Sequence, residues 1–195
     1  AILPAPSAGY ISVVSPAELL AWAADWDVGL SVARAPGEFL LRGDALAEAL
    51  DPPEGFDPAA AAEALARQLG LSDRQEIAAG ALYEARALAE GAIRALSPGI
   101  NDPGTALSCA NRLFDAAARM VEAGPSPAAF ADENGRSRVA IRPLDLALLC
   151  ERALSPMCRH GRGDAEFRAH AAGALAAIAD RARVAGDPAG AEALL

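Results

Sequence analysis

Ile93-Arg94-Ala95-Leu96-Ser97-Pro98-Gly99-Ile100-Asn101-Asp102-Pro103 joins the end of one helix to the start of the next. Pro98 has no N–H to continue a helical ladder, so Ser97-Pro98-Gly99 reads as a stop, with Gly99 expected to supply a positive φ. Asp102 then offers a carboxylate to the free N–H groups of a new helix, and Pro103 suits that helix's first position. The same logic opens the upstream helix at Ser72 or Asp73 and closes the downstream one near Gly124. Ser97, Pro98, Gly99 and Pro103 are thus a structural turn between two long helices.

Upstream of the turn, Leu82, Ala85, Ala89, Ile93 and Leu96 recur at helical spacing, broadened by Leu88, Ala92 and Ala95. Arg86, Glu90 and Arg94 recur every four residues and form a polar ladder on one side of the same helix. Two readings of the ladder stand side by side. In one it is a solvated or intersubunit row of ion pairs, with Asn101 and Asp102 only bracing and capping the turn. In the other, Arg86, Glu90, Arg94, Asn101 and Asp102 form a site where guanidinium groups meet an anionic ligand beside the helix start.

Beyond the second helix, Phe130 to Ile141 reads as a β-hairpin around Asn134-Gly135, a pair suited to a two-residue turn. Pro143 to Leu154 and Asp164 to Val184 read as helices, and Pro188 to Leu195 as a short docking helix. Arg94-Ala95-Leu96-Ser97-Pro98 recurs as Arg152-Ala153-Leu154-Ser155-Pro156, both copies expected at helix ends, which suggests two related α-hairpins. Towards the N-terminus the pattern is β-rich: strands at Tyr10 to Val14, Val28 to Arg34, Glu38 to Arg42 and Ala45 to Leu50. A helix from Pro16 to Asp25, capped by Ser15, interrupts them. Ala35 to Leu46 has the strand–turn–strand rhythm of biotinyl/lipoyl-like barrel-sandwich folds. The expected class is therefore α+β and mostly α. A small barrel-sandwich-like subdomain (1–56) is followed by a helical domain of α-hairpins (57–195) with one β-hairpin insertion near 130–141. Asp51-Pro52-Pro53-Glu54-Gly55 is the linker, and Asp57 with Pro58 starts a helix that Gly70 ends.

Composition removes whole chemistries. All 17 basic residues are arginine, so Schiff-base, P-loop and lysine-linked carrier functions lack their amine. A net charge of −9 with dispersed arginines disfavours nucleic acid. Cys109, Cys150 and Cys158 are an odd count expected to be reduced, buried small hydrophobes, consistent with a cytosolic setting. Their spacing to His160 and His170 matches no standard zinc pattern, so no metal and no other cofactor is expected. No Cys–His or Ser–His arrangement has a local signature, and no catalytic residue is assigned. His170 reads as structural, and Arg159 to Asp164 as a polar loop feeding a helix cap.

The stretch Ile93 to Pro103, followed by Thr105-Ala106, resembles the signature of a bacterial family of predicted membrane proteins, domain of unknown function 2254. Gly9-Tyr10-Ile11 and the Pro36-Gly37-Glu38-Phe39…Gly43-Asp44 segment are similar to that family too. Arg86 and Arg94 match its pattern. Glu90 stands where an aspartate is typical, and Ala79-Gly80 where members carry a Gln-Asp pair. The resemblance implies N-terminal transmembrane helices in the full-length protein, with this chain as its C-terminal region. The opening Ala1-Ile2-Leu3 agrees, having neither a starting methionine nor a charged leader. The functional expectation is a non-enzymatic, homo-oligomeric, regulatory or sensing domain. It would lie on the cytoplasmic side of a bacterial inner (plasma) membrane protein of the transport or channel type. The alternative expectation is an enzyme or small-molecule receptor using the polar site above.

Overall fold

The computed structural model describes residues 1–12, 14–73 and 81–195. The start expected at Ser72 or Asp73 for the long helix, and the Ala79-Gly80 departure, run into positions outside the described residues. The chain packs as two units, one made of 1–79 and 127–143, the other of 80–126 and 144–195. The division at residue 56 follows composition along the chain. The packing units follow contacts, and they join the hairpin to the N-terminal strands.

In the first unit, β1 (Ile2–Pro4), β5 (Ala45–Leu50), β3 (Gly29–Val32), β7 (Ser137–Ile141) and β6 (Ala129–Ala131) form one sheet in that spatial order. The β3–β7 pair is parallel, with Leu30 opposite Val139, and the other pairs are antiparallel. Val28, Leu30 and Val32 are all fully buried, as their alternation requires for one face of a strand. Helix α1 (Pro16–Asp25) packs against β7, and α2 (Pro58–Gln68) against β1. Leu19, Trp22, Leu46 and Leu65 join the strand residues in a single core. The Asp57 carboxylate accepts from the Ala59 and Ala60 N–H groups at 2.9 and 3.2 Å, whereas Ser15 makes no side-chain cap bond.

The barrel-sandwich expectation is corrected here: the sheet is open. Strands β2 (Gly9–Tyr10) and β4 (Phe39–Leu40) pair only with each other among the named strands, over two residues, and stay outside the main sheet. Closure needs a continuous, staggered ladder around the whole sheet, and these short strands do not provide it. The hairpin is where the sequence places it, but its turn differs. Asn134 is not left-handed; only Gly135 is, at φ 77°. Asp132 organises a longer loop instead, its Oδ1 accepting from the Asn134 and Arg136 N–H groups at 3.0 Å each. Its Oδ2 takes the Arg138 Nε–H at 2.7 Å.

The second unit is all helix. Helices α3 (Ala81–Ala95) and α4 (Pro103–Ala123) form the expected α-hairpin. Ala85, Ala89, Ala92 and Ala95 on α3 meet Ala106, Ala110, Leu113 and Ala117 of α4 in one buried cluster. Small side chains let the two backbones approach closely, and dispersion over many short contacts replaces large residues. Ile93 and Leu96, placed on the core stripe by their spacing, are only half-buried. Asp145 caps α5 (Leu146–Leu149), accepting from the Leu148 N–H at 2.8 Å.

The helix does not stop after Leu154. It widens into a π-helical turn, Cys150–Leu154, and continues as α6 (Ser155–His160). The Ser155 N–H reaches the Cys150 carbonyl, five residues back. A wider turn relieves the clash that the Pro156 ring would otherwise make with the preceding turn. The second copy of the pentamer therefore lies within a helix, and the expectation of a helix end there is overturned. A 3-10 turn, Gly161–Gly163, leads to the Asp164 cap, α7 (Ala165–Val184) and α8 (Pro188–Ala193). Gly161 is buried, and a Cβ there would enter the Phe167 ring.

Candidate functional site

The turn after α3 is held by main-chain bonds. The Ile100 and Asn101 N–H groups both donate to the Ser97 carbonyl, at 3.0 and 2.9 Å, and the Asp102 N–H donates to the Ala95 carbonyl at 2.8 Å. The left-handed residue is Asn101, at φ 49°, and not Gly99. Asparagine tolerates this region because its short amide side chain crowds the backbone little and can bond locally.

Asp102 is committed to its helix. Its carboxylate accepts from the Thr105 N–H at 3.0 Å and from the Thr105 hydroxyl. The hydroxyl bond first, and the main-chain bond second, hold this carboxyl below its ordinary value, because both favour the charged form. On the ladder, Arg94 Nη2 lies 3.5 Å from Glu90 Oε2, with both side chains largely in solvent. Arg86 is half-buried and, among the described residues, has no ion-pair or hydrogen-bond partner. No hydrogen bond or ion pair among the described residues joins Arg86, Glu90 or Arg94 to the side chains of Asn101 or Asp102. The five residues share one end of one hairpin, and each of the paired ones is satisfied locally.

Other residues singled out by the sequence have structural partners. His170 Nε2 lies 2.6 Å from Asn111 Oδ1, its ring beside Phe114. The three cysteines are free thiols, with Cys150 buried and Cys109 and Cys158 half-buried. Among the described residues no group of three His, Cys, Asp or Glu side chains could hold a metal ion. No helix among them is long and apolar enough to cross a membrane.

The family model described as predicted membrane protein (DUF2254) matches residues 1–177. The chain belongs to this family. The DUF2254 match spans both packing units, the Ser97 to Pro103 turn and the Arg86–Glu90–Arg94 ladder. It also ends within α7, so α8 lies outside the matched region. No curated protein and no solved structure matched the DUF2254 chain.

Sequence reasoning missed one feature, a cavity between the π-helical turn, α6, α7 and α8 lined by Cys150, Cys158, Arg159 and Arg162. The signal was present as Cys150 and Cys158 eight residues apart. Regular helical spacing, however, puts positions i and i+8 about 80° apart and gives no reason to pair them.

Proposed function

We propose that this chain is a non-catalytic, self-associating regulatory part of a bacterial integral membrane protein. It would work from the cytoplasmic side of the inner membrane and be joined to the protein's own N-terminal transmembrane region. One observation carries the reading. The outward side of α3 bears Tyr83, Glu90 and Arg94, with Arg86 at its margin and Ile100 just beyond its end; Tyr83 and Ile100 are exposed large apolar side chains. A row of alternating charge between two apolar groups is self-complementary: turned about a two-fold axis, Arg94 of one copy meets Glu90 of the other. Membership in a family of predicted membrane proteins supports the membrane setting.

Sedimentation velocity tests it. Wild type is expected to associate as concentration rises, and Glu90→Arg to remain monomeric with an unchanged circular dichroism spectrum. Wild type that stays monomeric at high concentration overturns self-association through this face.

A second reading, a receptor or enzyme for a small anion at Arg86, Glu90, Arg94, Asn101 and Asp102, is favoured by the half-buried Arg86, which has no partner among the described residues. An anion that raises the melting temperature of wild type and not of Arg86→Ala would support it, and equal responses would remove Arg86 from any ligand role.

A further inference from the structure

The second unit contains a cavity of about 330 Å³, at the small end of the range for ligand sites. One wall comes from the π-helical turn and α6 through Cys150, Leu154 and Cys158. Leu175 of α7, with Leu194 and Leu195 after α8, lines the other side, and the cavity stays open to solvent. Arg159, at the end of α6, and Arg162, in the 3-10 turn, add two exposed guanidinium groups to this lining. The Arg162 carbonyl accepts from Arg168 Nη1 at 2.8 Å, which ties down the turn that carries Arg162.

Two features set this lining apart from an ordinary surface dent. Among the described residues neither Arg159 nor Arg162 has a carboxylate partner, although the chain carries nine more acidic than basic residues. The sulfur groups carry no negative charge at neutral pH. Burial first, then Cys158 and Asp145, push the Cys150 thiol up to about 11, and burial raises Cys158 as well. Both thiols are therefore neutral at pH 7 and behave as small apolar wall residues.

We propose that this cavity binds a small amphiphilic anion, with its apolar part against Leu154, Leu175, Leu194 and the two thiols. Its carboxylate or phosphate is held by Arg159 and Arg162. Arginine suits that role because its planar fork donates two parallel hydrogen bonds to either group. The site is separate from the outward face of α3 and does not depend on how copies of the chain associate.

Cys158 provides the readout, since it is half-buried and lines the cavity, while Cys109 can be removed as Cys109→Ala. In that variant of the 195-residue chain, labelling of Cys158 by a methanethiosulfonate reagent is followed by mass spectrometry. The probes are octanoate, octyl phosphate, octan-1-ol and inorganic phosphate. Octanoate or octyl phosphate is expected to slow labelling saturably, and whichever binds tighter identifies the head group. Arg159→Ala with Arg162→Ala, both at exposed positions, should weaken that protection about tenfold or more, the scale of losing charge-assisted bonds. Protection by octan-1-ol equal to that by the anions would reduce the cavity to an apolar hole and overturn the proposal. Equal protection by inorganic phosphate, protection that survives loss of both arginines, or no protection by either amphiphile would also overturn it.

Discussion

Asn101 holds a left-handed backbone at φ 49° in an exposed turn, and its side chain is not needed for the bonds that hold the turn. Asn101→Gly should therefore leave stability nearly unchanged. Asn101→Val should cost about 1–2 kcal/mol, because a branched Cβ crowds the carbonyl in that conformation. Chemical denaturation of the two variants separates these outcomes. Asp132 makes a second prediction at this scale. The Arg138 guanidinium, with the Arg136 and Asn134 N–H groups, holds its carboxyl below the ordinary 3.8. A lowered folded value means the stabilisation is present above the unfolded pKa and is lost as pH falls through the folded one. Asp102 acts in the same direction. Asp132→Asn should flatten the acid limb of the melting temperature against pH, and an unchanged limb would show that Asp132 contributes nothing to it.

At the scale of elements, caps were the most legible part of the sequence. Asp57, Asp102 and Asp164 each precede a helix and each accepts its main-chain N–H bonds, because capping depends on residues only two or three positions away. Features that depend on distant partners were not legible. Strand β1 was missed because Leu3 becomes a strand residue only when Ala47 lies opposite it. In the hairpin loop, the Asp132 carboxylate bonds the Asn134 and Arg136 N–H groups, a local turn signal that Asn134-Gly135 overshadowed, and only the link from Arg138 on to Asp27 depends on a distant partner. Within the site, the ladder's spacing was legible and its pairing was not, since helix geometry places side chains and solvent decides which of them pair. Gly161 tests the packing directly. A methyl group there would enter the Phe167 ring, so Gly161→Ala should destabilise by about 1–3 kcal/mol, the usual scale of overpacking. Phe167→Leu in the same chain should recover part of the loss, measured by urea denaturation.

At the scale of the whole molecule, the chain passes from the first unit to the second, back again for 127–143, and out once more. The first unit is therefore not a stretch that can be cut out whole. A fragment ending at residue 79 would lack β7, leaving the edge of β3 and the buried Leu30 and Val32 without their parallel partner. Exposed strand edges of this kind recruit other chains. That fragment is expected to aggregate, while a chain with 127–143 fused after residue 79 by a flexible linker should stay soluble, as light scattering would show.

The π-helical turn has a consequence for descent. One extra residue in a helix is equivalent to an insertion, so positions 150 and 158 behave as if seven apart, within about 20° of the same side. Both cysteines reach the same opening for that reason. A relative lacking both that residue and the proline at 156 would run through the segment as plain α-helix, with the following elements in the same orientation. An alignment gap between Cys150 and Ser155 would then mark a silent difference between lineages, and the cavity would be inherited across it with its wall positions spaced by seven.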